Sequence, residues 1–266
     1  MKNMKKLWAA LLALAMTFSL AACGGTSDED AATDDQPTGE EVSGDTAPES
    51  DVAYIQDKGT LVVGITYFAP MDYKEEGSDE WIGFDADMAK AFGEYLGVEV
   101  EFLEITWSSK LMELDTKGID AIWNGMTIND EVKNGASVSE PYCLNGQVVV
   151  LPADKAEDYQ TVDSLSGLNF AVEDGSAGAE QLDLLGLSYI GKTTQADALM
   201  EVASGASDAC VIDLLMAGAM IGEGTSYPDL TYTVQLNSEE YGVAFRTGSD
   251  LVEQFNTFWK EAYDAG

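Results

Sequence analysis

One short segment of this sequence has the residue types needed to hold an anion. Gly175, Ser176 and Ala177 precede a run whose apolar spacing predicts a helix that ends near Leu185. The first N–H groups of a helix have no partners inside the helix, and the helix dipole favours negative charge at that end. Ser176 would add its hydroxyl group. The segment therefore predicts a site for a carboxylate or a similar anion.

Composition excludes several kinds of enzyme and binding site. The 266-residue chain contains no His and only 3 Cys. It therefore has no Ser-His-Asp triad, no Cys-His dyad, no His-ligated metal and no zinc site of four thiolates. The formal net charge of -35 argues against a nucleic-acid binder, which needs basic charge to displace counterions from phosphates. We expect no cofactor and no metal.

The first 23 residues have the pattern of an export signal that ends at a lipidation site. Three lysines precede 14 uncharged, mainly apolar residues over 7–20, a run too short to span a bilayer. The run ends in Leu-Ala-Ala-Cys, which resembles the lipobox of bacterial lipoproteins and implies cleavage before Cys23 and a lipid on its sulfur. Residues 1–22 are predicted to be a signal peptide. The mature protein is expected to be extracytoplasmic and lipid-anchored to the cell membrane, with a Gram-positive surface favoured.

Residues 23–52 are predicted to form the lipidated Cys and an acidic, disordered tether. Residues 24–51 contain ten acidic residues, no basic residue and no aromatic residue. Such a segment cannot bury enough apolar surface to offset the entropy of ordering it. A flexible chain of this length spans about 30 Å. The tether would hold the folded part of the protein away from the membrane.

The remaining sequence alternates between strand and helix patterns, and the alternation starts twice. The predicted strands are 60–65, 98–105, 119–123, 147–151, 169–172, 188–190, 209–212, 230–236 and 242–245, and the predicted helices are 85–96, 108–117 with Ser108 as its cap, 177–185, 195–203, 214–221 and 250–263. This alternation predicts an α/β fold with mostly parallel sheets. The restart predicts two lobes, with 147–151 as a candidate crossing between them.

Five stretches in order resemble the amino-acid-type substrate-binding proteins of ABC transporters, solute-binding protein family 3. The stretches are 59–64, 83–88, 118–127, 139–142 and 241–244. The resemblance covers about residues 53–266. It implies the two-lobed type II periplasmic-binding-protein fold, in which each lobe is a sheet flanked by helices and two hinge strands join the lobes. A small polar ligand, most often an amino acid, binds in the cleft between them.

The same resemblance implies a domain organisation and a set of partners. Residues 53–148 would form the first part of lobe 1, residues 149–235 lobe 2, and residues 236–266 the return to lobe 1. The implied partners are a small amino-acid or cationic ligand, an ABC permease, and the membrane through the lipid anchor. We expect a monomer that binds no nucleic acid and is not an enzyme.

In lobe 1 the resemblance implies ligand contacts from two aromatic residues and one loop. Phe68 would pack against the ligand side chain, or else belong to the core. Trp107, at a strand-to-helix turn, would stack on the ligand. In the loop 125–127, the Gly125 carbonyl would accept from the ligand ammonium, and Thr127 would bind the carboxylate beside Met126. Glycine also permits close approach of the backbone.

In lobe 2 the resemblance strengthens the anion site and adds an acidic residue. Gly175 and Ser176 would contact the ligand carboxylate at the helix N-terminus. Asp213, which follows the predicted strand 209–212, would accept a charge-assisted hydrogen bond from the ligand α-ammonium. From the residues alone, Asp213 is equally a helix N-cap.

One departure from the family pattern bears directly on the ligand. The family usually carries an arginine that binds the α-carboxylate at the position of Val132, near Lys133. Three interpretations stay open. First, Thr127, the Ser176 loop and a lysine such as Lys110 could hold the carboxylate. Second, the ligand could be a cation without a carboxylate, bound by Asp213, Glu173 and aromatics such as Tyr67, Trp81 and Trp107. Third, the protein could bind weakly and serve another role.

Two other classes of protein stay open, and the cysteines complete the predictions. A sensory ligand-binding module would use the same cleft, and a fold-related dehydratase or lytic enzyme could use Glu173 or Asp213 as a general acid. Cys143 and Cys210 are predicted to lie in different lobes as buried free thiols, because a disulfide there would block lobe motion.

Overall fold

The computed structural model describes residues 50–266, which alternate between helices and strands throughout. The first half contains α1 (Asp51–Lys58), β1 (Thr60–Ile65), α2 (Phe84–Leu96), β2 (Glu99–Glu104), α3 (Lys110–Asp115), β3 (Ala121–Thr127), α4 (Asp130–Gly135), β4 (Ser137–Val138), β5 (Cys143–Asn145) and β6 (Gln147–Pro152). The second half contains β7 (Phe170–Glu173), α5 (Ala177–Leu185), β8 (Tyr189–Lys192), α6 (Gln195–Ala203), β9 (Ala209–Asp213), α7 (Leu214–Met220), β10 (Leu230–Gln235), β11 (Glu239–Phe245) and α8 (Leu251–Ala265). Short 3₁₀ helices lie at Trp107–Ser109, Ala153–Asp158 and Val162–Leu165.

The strands form two separate sheets. The first has the order β2-β1-β3-β11-β4, with β5 also paired to β11, and the second has the order β10-β6-β9-β7-β8. We call the first sheet with its helices lobe 1 and the second sheet with its helices lobe 2. The predicted α/β fold of two lobes is confirmed.

Both sheets are mixed, whereas the sequence predicted mostly parallel sheets. Pairs joined through a helix are parallel, as in β1 with β2 and β7 with β8. The antiparallel pairs involve strands at the passage between the lobes: β11 runs against β3, and β6 runs against both β9 and β10. The prediction missed these pairs because returning strands enter each sheet from the opposite end.

The chain passes between the two sheets twice. The first passage lies between β5 and β6, and the second lies between β10 and β11. The first passage lies just before the candidate crossing at 147–151, and the second follows the end of β10 at Gln235. Strand β6 belongs wholly to the second sheet, two residues before the predicted start of lobe 2 at residue 149. The domain limits themselves stay predictions.

An aromatic cluster forms the core of lobe 1 between the sheet and helices α2 and α8. Phe92 lies at its centre, 5.3 Å from Phe258 and 5.6 Å from Phe255 between ring centroids. Trp123 meets Phe255 edge-on at 5.0 Å. Large buried rings contribute most of the apolar area of such a core. The amphipathic pattern that predicted a helix at 250–263 is explained by this packing.

A buried ion cluster attaches the first helix to the sheet of lobe 1. Arg246 Nη2 lies 3.0 Å from Asp51 Oδ1 and 3.2 Å from Asp120 Oδ1. Arg246 Nη1 also donates to the Ile119 carbonyl at 3.0 Å. Because Ser50 caps a helix that begins at Asp51, the predicted tether is two residues too long at its carboxyl end.

Three other predictions can be compared with the structure. Ser108 does not cap a helix: it lies inside the 3₁₀ turn Trp107–Ser109, which precedes the short α3. Cys143 and Cys210 are both free, but only Cys210 is buried. Within residues 50–266, every helix is too short or too polar to cross a membrane. The predicted signal peptide, Cys23 and most of the tether lie outside the described residues.

Candidate ligand-binding site

A narrow cleft lies between the two lobes, where β3, β7 and β9 end. The residues around it are Trp107, Lys110, Asn124, Gly125, Met126, Thr127, Asn129 and Val132 from lobe 1, and Glu173, Gly175, Ser176, Ala177, Gln195 and Asp213 from lobe 2. Seven of the eight residues predicted to bind ligand are among them. The enclosed space is about 20 Å³, the room of about one water molecule. The lobes are therefore close together in this structure.

Gly125 shapes the floor of the cleft on the lobe 1 side. Its φ of 56° is in the left-handed region, and an added Cβ would lie 2.2 Å from Phe68 Cε1. Phe68 is 1 % exposed and packs behind Gly125 and against Tyr241, with ring centroids 6.4 Å apart. Phe68 thus packs in the core and does not line the cleft here, which favours the core alternative; its contact with a ligand stays a prediction.

A buried acidic pair lies beneath Gly125. Asp85 Oδ2 accepts from the Gly125 N–H at 2.6 Å and from the Tyr142 hydroxyl at 2.8 Å. Burial raises the pKa of Asp85 to about 6, while these hydrogen bonds oppose the shift. Burial, followed by the charge of Asp85, raises the pKa of Asp72 well above its usual value. Asp85 lies in the family-like stretch 83–88, but the sequence did not predict that it would hold the loop 125–127.

Thr127 is joined to a polar network at the passage between the lobes. Its hydroxyl donates to Glu239 Oε1 at 3.0 Å. The same oxygen accepts from Asn145 Nδ2 at 2.7 Å and from Gln147 Nε2 at 2.8 Å. Sequence reasoning missed Asn145, Gln147 and Glu239. A signal was available, because all three are polar residues at the ends of the two crossings.

Asp213 is the most extensively hydrogen-bonded side chain of the cleft. Its carboxylate accepts from Tyr241 Oη and Gln195 Nε2, both at 2.5 Å, from Gln147 Nε2 at 3.1 Å and from Asn145 Nδ2. Burial, followed by the charge of Glu239, raises the pKa of Asp213 to about 7, and the donors lower it. Asp213 precedes α7, but its side chain makes no capping bond there. Asp213 therefore occupies the N-cap position, as the alternative predicted, while its side chain is used in the network of the cleft.

The lobe 2 side of the cleft begins helix α5. Ser176 caps this helix, and its Oγ accepts from the Ala179 N–H at 3.2 Å. Gly175 has a φ of 72°, and an added Cβ would lie 2.8 Å from Ser108 Cα in the opposite lobe. A larger residue at Gly175 would therefore keep the lobes apart.

Lys110 places an ammonium group inside the cleft. The side chain is 4 % exposed, and its Nζ donates to the Gly175 carbonyl across the cleft at 2.9 Å. The Nζ also lies 3.6 Å from Glu131 Oε2 and 5.2 Å from the centre of the Trp107 ring. Burial lowers the pKa of Lys110, and Glu131 opposes this shift.

The position where the family usually has arginine carries no charge. Val132 is 1 % exposed and lines the cleft, so the position itself faces the ligand region. Lys133 is exposed and does not line the cleft. Of the two lysines considered as substitutes, only Lys110 is in place.

Glu173 is a second buried carboxyl group in the cleft. It ends β7, next to β9 and Asp213, and is 2 % exposed. Its Oε1 has no hydrogen-bond partner in the part of the chain that the structure describes. Burial and then the charge of Asp213 raise the pKa of Glu173 well above its usual value, and Lys110 partly opposes this.

Two mixed α/β lobes with polar and charged residues converging on the cleft between them define a two-lobed solute receptor of the type II periplasmic-binding-protein fold. Residues 61–266 match the family model for bacterial extracellular solute-binding proteins, family 3. The chain belongs to this family.

Named relatives of this chain are also binding proteins. The arginine-binding extracellular protein ArtP of Bacillus subtilis is 30% identical over 99% of this chain and 94% of its own length. The L-cystine-binding protein TcyJ of Escherichia coli is 28% identical over 76% of this chain and 77% of its own. A crystal structure of an amino acid ABC transporter substrate-binding protein from Streptococcus pneumoniae bound to L-arginine has a TM-score of 0.75, 26% identity, and coverage of 82% of this chain and 94% of that one.

Proposed function

We propose that this protein is the extracytoplasmic receptor of an ABC importer and captures an amino acid between its lobes. The observation that carries the proposal is the position of Asp213, a carboxylate held by four donors at the wall of the interlobe cleft. The names of the relatives support the substrate class, and that of the Streptococcus structure supports the importer.

Each end of an amino acid has a matching group in the cleft. Asp213 and the Gly125 carbonyl would receive the α-ammonium. The Thr127 hydroxyl, the Ser176 hydroxyl and the N-terminus of α5 would receive the α-carboxylate. Lys110 would supply the positive charge that Val132 cannot. Met126 would border the site, and Trp107 would cover one face of the ligand.

Binding would be coupled to lobe closure. The cleft encloses about 20 Å³, so a ligand can enter only if the lobes separate. Contacts that bridge the lobes, such as Asn129 Nδ2 to Glu180 Oε2 at 2.9 Å, would break on opening and re-form on closure. A ligand that contacts both lobes shifts the population towards the closed form. The permease would recognise that form.

A thermal-shift screen followed by calorimetry tests the ligand class. The panel holds the standard amino acids, polyamines, betaines and short peptides. A ligand at 100 times its Kd stabilises the native state by about 2.7 kcal/mol. We expect at least one amino acid to raise the Tm, and Asp213→Ala to remove the effect. A panel without a stabilising amino acid, or conversion of a bound amino acid to a product, would contradict the proposal.

The lipid anchor is a separate part of the proposal and has its own test. It is supported by the lipobox that ends at Cys23. In the native bacterium, Cys23→Ser is expected to abolish lipid labelling of the protein, whereas Cys143→Ser leaves labelling unchanged. Equal labelling of Cys23→Ser and the unmodified protein would reject the anchor without affecting the ligand-binding proposal.

A further inference from the structure

The charged groups that line the cleft do not balance one another. One ammonium group, that of Lys110, faces two carboxyl groups, those of Glu173 and Asp213. All three side chains are nearly completely buried. Charges removed from water require partners, because burial without a partner costs several kcal/mol. When both carboxyl groups are ionised, the closed cleft has an excess of negative charge that a cationic ligand would offset.

Lys110 does not supply the missing partner. Its Nζ donates to the Gly175 carbonyl and lies beside Glu131. Among the described residues, Glu173 forms no salt bridge within 4.0 Å. In the proposed binding mode, Lys110 is also committed to the α-carboxylate of the ligand. Glu173 is consequently left for another cation.

Asp213 and Glu173 are placed to receive two different cationic groups. The two residues end neighbouring strands of the same sheet, and both carboxyl groups face the cleft. Asp213 is assigned to the α-ammonium in the proposed function. The unpartnered Oε1 of Glu173 then marks a position where a second ammonium or guanidinium group of the ligand would be bound.

The two grooves beside the cleft carry the same sign of charge. One groove is lined by Asp174, Asp197 and Glu201, and its Lys192 is already paired with Glu201 at 2.6 Å. The other is lined by Glu180, Glu239 and Glu240 and has no basic residue in its lining. Acidic walls raise the local concentration of cations and repel anions.

We infer that the ligand is a dibasic amino acid whose side-chain cation pairs with Glu173. The inference rests on the proposed function and adds the class of ligand and the residue that selects it. Asp213 would bind the α-ammonium, Lys110 would bind the α-carboxylate, and Glu173 would bind the side-chain cation. The bound complex would then have no uncompensated charge among these groups.

Calorimetry with matched pairs of ligands tests the inference on the purified full chain. Arginine is compared with citrulline and lysine with norleucine, because each pair differs mainly in the side-chain charge. We expect the cationic member to bind about 100-fold more tightly, as for a buried charge that gains its partner. Glu173→Gln is expected to reduce this preference to within about threefold. Glu157→Gln, at an exposed position of lobe 2 away from the cleft, serves as the control and keeps the preference.

The possible outcomes separate this inference from the proposed function. Equal binding of citrulline and arginine, or an unchanged preference in Glu173→Gln, would overturn the selection by Glu173 and leave an amino-acid receptor. Binding of neither member of any pair nor of any other amino acid would overturn the proposed function, and the inference with it. Tm measurements on Glu173→Gln check that the variant is folded.

Discussion

Asp213 and Glu173 end adjacent strands of one sheet and face one cleft, yet their surroundings are opposite. Asp213 accepts from Asn145, Gln147, Gln195 and Tyr241, whereas Glu173 Oε1 has no partner within the described residues. Burial raises the pKa of both groups. Donors that are already in place fix the position of a carboxylate and stabilise its charge before a ligand arrives. Lys110 and Gln195 only partly offset the effect of burial on the pKa of Glu173, so a cationic ligand would add most to the stability of its charge.

The largest effect is expected from a substitution of Asp213, the carboxyl group that accepts from four donors. Asp213→Asn removes the charge that would receive the α-ammonium and should weaken amino-acid binding by about 1,000-fold, since loss of one partner of a buried pair costs about 3–5 kcal/mol. Isothermal titration measures the change. Asp183→Asn, on the exposed surface of the same lobe, is the matched control. Comparable affinities for Asp213→Asn and this control would rule out the assigned role.

Removing a single donor from Asp213 should have the next largest effect. Tyr241→Phe deletes a hydroxyl that donates to Asp213 at 2.5 Å. A hydrogen bond to a charged group contributes about 1.5–3 kcal/mol, so we expect affinity to fall by about 10- to 100-fold. The pKa of Asp213 should rise above about 7 in the variant. Tyr232→Phe is the exposed control, and an affinity equal to that control would show that the donors do not matter.

The pH dependence of binding should follow the ionisation of Asp213. Its pKa is about 7, and Glu173 is the other buried carboxyl group that lines the cleft. An ammonium ligand requires the ionised form, so affinity should fall by about tenfold from pH 8 to pH 6. Calorimetry across this range provides the measurement. A flat profile would mean that Asp213 stays ionised throughout and that its donors outweigh burial.

The stability of the free protein should depend on pH in the opposite direction. Asp213 has a pKa of about 7 when folded, against about 3.9 for an unfolded Asp. The folded state therefore binds more protons between these values, and the unfolding free energy falls as the pH rises from about 4 to about 7. The Tm without ligand should be higher at pH 5.5 than at pH 7.5. A higher Tm at pH 7.5 would contradict the raised pKa.

The smallest effect concerns Glu173 in the absence of ligand. Glu173→Gln replaces a buried, unpartnered acid with a neutral group of the same shape, so the Tm at pH 7.5 should rise. A gain of about 1 kcal/mol corresponds to about 2–4 °C for a domain of this size. Glu157→Gln, at an exposed position of the same lobe, controls for the removal of a negative charge elsewhere. A lower Tm in Glu173→Gln would show that the carboxyl group has a partner that stabilises it.

Much of the fold and the positions of the cleft residues could be predicted from local patterns. Trp107 and Asp213 lie just after predicted strands, and in an α/β fold such strand ends lie at the edge of the sheet where ligands bind. Thr127 ends β3, which continues past the predicted strand 119–123. The strand and helix periods also predicted most elements within a few residues. These features depend on residues that are close together in the sequence, so one sequence is enough to predict them.

The rest depends on contacts between distant parts of the chain. Asp213 and Asn145 are 68 residues apart, and Glu239 and Gln147 are 92 apart, so no local period reveals these bonds. The antiparallel entry of β6 and β11 and the core position of Phe68 are equally non-local. Phe68 fills space that exists only because Gly125, on another strand, has no side chain.

The attachment of helix α1 determines how the folded part resists a pull on its amino end. Ser50 Oγ donates to Asp250 Oδ2 at 2.5 Å, the Val52 N–H donates to the same side chain at 3.0 Å, and Asp51 is paired with Arg246. A tensile force applied at residue 50 would thus be shared among several bonds to lobe 1. It would reach lobe 2 through the two interlobe passages and through contacts across the cleft, such as that of Lys110 with the Gly175 carbonyl. With the proposed lipid anchor at Cys23, a pull from the membrane would therefore act first on lobe 1.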